Sequence, residues 1–473
     1  MKSESRKKYL LKNTIIFALG NFGTKIISFF LVPLYTNILA TSEYGNVDLI
    51  STISMVLGPV LILNIGEALL RFPLDENADN NAIMSGGMLL LLFGIILGII
   101  IIPISKCFSD ISSYAIYLYF YVISYACFQV FSCYLRGTEK LVAYSIGNIL
   151  NTLLIALFNI CFLCFLRLGI KGYLMAYIFA FICSSIYAFF AGKVYNVFLN
   201  FKIDKKLLIN MLKYSVVLIP TTFLWWITNS SDRIMVTSIL GSSANGVYAI
   251  SYKIPTILST IALIFNQAWS YSAIKEEKSN DKEEFNNRMF YALAAFLTIL
   301  AMGMMMIMKP FLKIYVDKAY YDAWKYTPYL IVGFVFSSLG SFLATPYTVH
   351  KDSKGYLFSA LIGAGINIIL NFILIPLIGI DGAALATLIS YIAVLFYRLC
   401  DTRKYLKIHF FNVKNLIGYF LLFIVAATMY LEYYKELIIA VFCILISLFM
   451  YRGIFKNIIK NILKMLAHKQ KNV

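Results

Sequence analysis

Apolar residues run in long blocks along the whole chain, and polar residues gather in the short gaps between them. Leu89–Ile102 is one such block; Leu153–Leu166, Met289–Met308, Leu357–Ile378 and Leu437–Tyr451 are others. A helix needs about 20 mostly apolar residues to cross a hydrocarbon core of about 30 Å, and with their flanks these blocks approach or reach that length. The pattern predicts about fourteen spans. They lie over 13–36, 47–66, 82–104, 112–134, 142–166, 172–192, 214–231, 247–269, 289–308, 326–346, 356–377, 382–399, 415–431 and 436–451. The expected fold class is an all-α polytopic membrane protein.

Composition strengthens this reading. Hydrophobic residues make up 60% of the chain and charged residues 14%, against about 25% charged in an ordinary soluble domain. Too few polar groups exist to cover a water-facing surface. The formal charge of +18 does not point to nucleic acid, because lysines and arginines cluster at span ends. With the N-terminus in the cytoplasm, 30 basic residues fall on that side and 9 on the other, while Lys25 and Lys253 lie within spans. Basic loops favour the cytoplasmic face, so both termini are expected there. The basic head Met1–Lys12 precedes a segment too long for a secretory leader. Cys161 and Cys164 form a CxxC inside an apolar span with no nearby histidine, which reads as small buried side chains.

The halves of the chain resemble each other. Ile38–Gly45 aligns with Ile239–Gly246, and Leu168–Gly172 with Ile378–Gly382, in the same order and at nearly the same offset. The first pair joins spans one and two of a six-span unit, the second joins spans five and six. An even span count starts both units from the same face, which suits parallel repeats around a central cleft. The expected organisation is an N-lobe over 1–192, a linker over 193–213, a C-lobe over 214–399, and a two-helix hairpin with a basic tail over 400–473.

Polar groups inside spans are functional candidates, because hydrocarbon does not solvate them. Asn21, Lys25 and Ser28 share a face of the first span. Lys25 lies mid-span, where it faces an aqueous lumen and attracts phosphate, or pairs with Asp48 or Glu67; the lumen is favoured. Lys253, Thr256, Thr260 and Gln267 stand at helical spacing in the eighth span, with Lys253 near enough to its end to snorkel. Glu67 and Arg71 read as a helix-end ion pair with gating as the alternative, and Asp232 and Arg233 are equally ambiguous. Asp48 completes the gating or coupling set. Asn148, Asn151, Thr152 and Asn159, and separately Asn367 and Asn371, read as interhelical glue before sugar recognition. Trp225, Trp226, Tyr121, Tyr125 and Gln129 offer aromatic or polar faces, although packing explains most such residues. Pro33, Pro59, Pro220, Pro255 and Pro346 are expected to kink their spans. No nucleotide-binding loop, zinc constellation or serine–histidine–acid set emerges, so neither a metal nor another cofactor is expected. An ATP-driven pump is disfavoured, and an ion gradient, the membrane potential or substrate consumption would supply any energy.

The run Lys25–Phe29, Pro33-Leu34, Ile38-Leu39, Tyr44-Gly45 and Asn64–Phe72 resembles the start of bacterial polysaccharide-transport flippases. Gly246–Lys253 and Asn266–Ser270 resemble the entry to the second lobe of that family. The resemblance implies the multidrug/oligosaccharidyl-lipid/polysaccharide exporter superfamily, with two pseudo-symmetric six-helix lobes and, here, an appended hairpin. It implies a bacterial cytoplasmic membrane protein that carries undecaprenyl-diphosphate-linked oligosaccharide outward for O-antigen or capsule synthesis. Lys25 would receive the diphosphate, with Lys253 a weaker counterpart. Membrane lipids, H+ or Na+ as coupling ion, a polysaccharide polymerase and a chain-length regulator would be its partners. The lipid II branch shares the span count, but its arginine-rich first helices are missing; the acid often used for cation coupling in the multidrug branch is also missing from span one. The rival readings are a multidrug or metabolite antiporter of the same fold, and a membrane polymerase or glycosyltransferase. The latter needs a sizeable outer loop, and here the longest, around Lys309–Lys325, is short.

Overall fold

A computed structural model describes residues 24–75, 78–276, 281–350 and 352–453. The long helices are α1 (Thr24–Ile38), α2 (Thr41–Leu61), α3 (Asn80–Gly98), α4 (Ala115–Gly137), α5 (Leu141–Phe165), α6 (Gly169–Gly192), α7 (Lys205–Leu240) and α8 (Ser242–Lys253). They continue as α9 (Pro255–Glu276), α10 (Lys282–Tyr315), α11 (Ala323–Val349), α12 (Ser353–Ile378), α13 (Ile380–Asp401), α14 (Val413–Thr428) and α15 (Tyr433–Met450). Among the described residues there is no strand. Among the described residues eleven helices are long and apolar enough to cross a membrane, and α8 with α9, bent by 40°, makes a twelfth if the pair is one span. The shorter apolar helices α1 and α14 stand where the first and thirteenth spans are expected. The protein is a multi-pass membrane protein.

Several helices begin at a local signal. The side chains of Asp79, Asp204, Asp352 and Asn412 accept first-turn N–H groups at the starts of α3, α7, α12 and α14. Gly169 and Gly379, equivalent in the sequence repeat, adopt φ of +53° and +65° where α6 and α13 begin, a conformation open to glycine at little cost. Pro255 opens α9 as a first-turn residue, where its missing N–H costs nothing. That proline and the preceding Ile254 set the bend between α8 and α9.

The helices are arranged inside-out relative to a soluble bundle. On α15, Ile438, Phe442, Leu445 and Phe449 are exposed at helical spacing, whereas Glu436, Ala440, Cys443 and Ser447 are buried. On α12, Phe358, Phe372 and Leu377 face outward while Ser359, Gly363, Ala364, Asn367 and Asn371 are inside. Lipid tails accept large apolar side chains as readily as a core does, so close packing falls to small and polar residues.

The chain divides into two compact units, Met1–Ala249 and Ile250–Val473. In the first, Ile62, Ile65, Leu69, Ile83, Met84 and Val130 form part of a core where α2, the short helix Ile65–Arg71, α3 and α4 converge. In the second, α13 packs along both α11 and α12, and the Trp269 ring stacks on Phe342 with centroids 4.6 Å apart.

Candidate functional site

Lys25 and Ser28 lie on α1, and both are exposed. Ser28 Oγ donates to the Thr24 carbonyl at 2.9 Å, so its hydroxyl is satisfied within the helix. Asn21 lies outside the described residues, as does the side chain of Gln267. Lys25 therefore carries the charge on this face without burial. Asp48, one expected partner for it, is engaged elsewhere.

Asp48 sits on α2, 6% exposed, and its Oδ1 accepts from Arg233 Nη1 of α7 at 2.9 Å. The candidates Asp48 and Arg233, far apart in sequence, thus meet as a largely buried ion pair. Arg233 Nη1 also approaches Thr52 Oγ1 at 3.4 Å, and Trp226 Nε1 donates to the Thr52 carbonyl at 2.8 Å. Asp232 turns the other way: its Oδ2 accepts from Tyr248 OH at 2.6 Å, and its Oδ1 from the Arg233 N–H at 2.9 Å. Asp48 Oδ2 is buried with no hydrogen-bond partner among the described residues. A buried carboxylate oxygen without a partner is costly, because its lone pairs are stripped of water with no bond in exchange.

Several expected residues take other roles. Arg71 pairs with Asp75 at 2.6 Å rather than with Glu67, and Glu67 is exposed; both carboxylates lie one turn from the arginine, and Asp75 stands past the helix end. Lys253, expected near a span end, lies at the bend of a broken span, as the last residue of α8. The negative end of the α8 dipole favours a cation there. Thr256 and Thr260 donate to the carbonyls of Lys253 and Thr256 on their own chain. Tyr121 is buried in an aromatic stack with Tyr177 and Phe181, and the side chain of Trp225 lies outside the description.

Of the asparagines, Asn148 and Asn159 bond back to their own helix, while Asn151 accepts from Ser184 of α6 at 3.4 Å. In the second unit, Asn371 donates to Asn367 at 2.9 Å, Asn367 reaches Thr387 of α13 at 3.5 Å, and Tyr252 OH lies 3.4 Å from the same threonine hydroxyl. These groups tie α8, α12 and α13 together by side-chain hydrogen bonds.

Sequence reasoning missed two charged clusters. Lys309 of α10 pairs with Glu436 of α15 at 2.9 Å, and Glu436 is fully buried. The signal was present, since both lie at the edges of apolar blocks. At the other end of these helices, Asp352 accepts from the Gly355 N–H, Lys404 and Tyr405. Those contacts, the Gly355 N–H foremost, hold its carboxyl down at about 2. Among the described residues no three His, Cys, Asp or Glu side chains gather as a metal-ligand group. The two ion pairs hold α2 against α7 and α10 against α15.

The fold is that of known transporters. A lipid II flippase, MurJ, in an inward closed conformation superposes with a TM-score of 0.64 at 16% identity, over 93% of this chain and 100% of that one. An inward-facing multidrug resistance MATE family transporter of the MOP superfamily gives 0.62 at 13% identity, over 82% and 93%. A MOP superfamily transporter from Pyrococcus furiosus, described as having a binding pocket of reverse polarity, gives 0.51 at 12%, over 89% and 94%. No curated protein matches the sequence. Residues 10–271, more than half of the chain, match the polysaccharide biosynthesis protein family, and the chain belongs to that family.

Proposed function

We propose that this protein is a flippase for a lipid-linked oligosaccharide, carrying an undecaprenyl-diphosphate-linked repeat unit from the cytoplasmic to the outer leaflet by alternating access. The observation that carries the reading is the match of residues 10–271 to a polysaccharide biosynthesis family in a chain folded like a lipid II flippase. A sugar and diphosphate headgroup cannot cross hydrocarbon without leaving every polar group unsolvated, so the protein supplies a polar route while the polyprenyl tail stays in lipid. Lys25 is the proposed anchor for the diphosphate. It is an exposed lysine on a membrane helix, and an ammonium attracts phosphate as a point charge. Lys253, at the bend between α8 and α9, is its proposed assistant. The positive-inside bias supports cytoplasmic termini, and a bacterial cytoplasmic membrane goes with the polysaccharide-flippase reading.

The deciding experiment replaces Lys25 in a strain that depends on this gene for its surface polysaccharide. K25A abolishes the polysaccharide at unchanged membrane abundance, and K25R retains part of it. Normal polysaccharide in K25A removes Lys25 from the mechanism. Drug efflux lost on deletion, with polysaccharide intact, assigns the antiporter function instead.

A further inference from the structure

In the first unit an apolar groove between α4 and α6 ends beside a cluster of cations, and the transport reading uses neither. The groove has a volume of about 420 Å³, within the range of small-molecule sites. Phe120, Cys127 and Phe131 of α4 and Ile182, Ile186 and Phe190 of α6 line it. Phe120, Ile182, Ile186 and Phe190 are exposed, so the groove opens on the lipid-facing side of the helix pair. Ser124 and Ser185 also line it, but their hydroxyls donate to the Tyr121 and Phe181 carbonyls at 3.1 and 2.7 Å. Both are satisfied on their own helices, and the walls present hydrocarbon to a hydrocarbon chain.

The cations stand where α6 ends. Lys193 follows Gly192 with φ of +58°, and its N–H donates to the Phe190 carbonyl at 3.0 Å. Lys140, in the turn from α4 to α5, donates from Nζ to the Gly192 carbonyl at 2.9 Å and the Ala191 carbonyl at 3.3 Å. The wall residue Phe190 is therefore next in sequence to the carbonyls that hold Lys140. An ammonium has three donors, which leaves one for a further acceptor. Burial, and then the neighbouring Lys193 ammonium, hold Lys140 below the ordinary lysine value. An anion beside the two cations offsets that repulsion. Arg136, in the last turn of α4, adds a third cation, against the acid Glu139. Tyr195 packs on Phe190 with centroids 6.4 Å apart and is exposed, as suits a tyrosine at headgroup level.

Length selects the occupant. From Phe120 to Phe131 the α4 wall runs about 16 Å at 1.5 Å per residue. That is roughly half of a hydrocarbon core of about 30 Å, the depth of one leaflet. A fatty acyl chain matches one leaflet, whereas a polyprenyl chain is much longer. We propose that the groove and the Lys140–Lys193 pair form a site for an anionic glycerophospholipid. One acyl chain lies between α4 and α6, and the phosphate meets the two ammoniums. The positive-inside bias makes this the cytoplasmic leaflet, where anionic headgroups draw basic residues. Lys25 and Lys253 take no part in the site, and it does not depend on the flippase reading.

The test uses phosphatidylglycerol with a photoactivatable group on one acyl chain, added to the full-length protein in phosphatidylcholine bilayers. Illumination labels peptides 120–131 and 182–190 several-fold more than the exposed face of α15, which reports bulk lipid. Unlabelled phosphatidylglycerol competes, and extra phosphatidylcholine does not. K140Q/K193Q lowers groove labelling to the bulk level, whereas K140R/K193R keeps it. Equal labelling of the groove and α15, equal competition by phosphatidylcholine, or unchanged labelling in K140Q/K193Q overturns the proposal. Stronger competition by undecaprenyl diphosphate than by phosphatidylglycerol gives the groove to a polyprenyl tail and overturns it as well. The competition is measured on the unaltered protein, so it decides the matter even where the lysine variants fail to fold. Normal polysaccharide in K25A would count against the proposed diphosphate anchor and leave each of these outcomes unchanged.

Discussion

Two buried ion pairs, one in each unit, are built for different purposes. Asp48–Arg233 joins α2 to α7 among hydroxyls and glycines, and the Arg233 side chain keeps 18% of its surface open. Lys309–Glu436 joins α10 to α15 with the carboxylate wholly enclosed. The Lys309 ammonium also stands 4.4 Å from the centre of the Trp324 ring and donates to the Leu431 carbonyl. Tyr430, packed on Trp324 and Tyr329, donates to the Lys325 carbonyl at 2.6 Å. The second pair has rings beside it and a carboxylate closed off from solvent. The first stands among small and hydroxyl-bearing neighbours. Both carboxylates keep a buried oxygen without a hydrogen-bond partner among the described residues, so the two pairs differ in enclosure: the hairpin is fastened inside aromatic packing, and α2 is fastened to α7 beside small side chains.

The sharpest way to break this contrast is K309A. Removing one partner strands Glu436 in a dry site, at a cost of about 3–5 kcal/mol, read as a large fall in the thermal midpoint of detergent-purified protein. D48N comes next. It weakens a charge-assisted bond by about 1.5–3 kcal/mol, while export falls further than stability explains; the exchange D48R/R233D recovers part of both. A D48N protein with full export would make the first pair a fastening alone, like the second. W226F removes one hydrogen bond to the Thr52 carbonyl and costs about 0.5–1.5 kcal/mol in the same melt. The smallest effect is at Asp352, outside the spans. Its folded value of about 2 lies below the ordinary 3.8. Its stabilising contribution is complete above the ordinary value and is lost as pH falls through about 2. K404A removes one of the donors that hold it down, so its carboxyl titrates at a higher pH, which carbon-13 spectra of labelled aspartate detect.

The spans were legible because membrane helices announce themselves by length and apolarity, two properties that are local in sequence. The repeat was legible for a related reason. Gly169 and Gly379 are forced by backbone conformation, and such demands leave the same residue in both copies. Pairing was not legible. Asp48 and Arg233 were each singled out, but nothing local says that they meet, and Lys25 was an equally reasonable partner for Asp48. Lys253 was read as lying near a span end, with Pro255 as a kink within that span. Pro255 opens a second helix, so the lysine stands at the C-terminus of α8. Gly45 and Gly246 fall in segments read as joining spans, whereas both are helical and glycine is required by the neighbouring backbone.

The clamp between α10 and α15 also bears on how the protein is made. Lys309 leaves the ribosome long before Glu436 does; at ~5–20 residues per second the acid follows ~6–25 s later. During that interval the lysine is at the membrane without its partner, and the hairpin that carries the acid has yet to insert. Chains cut short before residue 436 would keep that charge unanswered and would be ready substrates for membrane quality control. Insertion of α15 thus neutralises a lysine translated more than a hundred residues earlier.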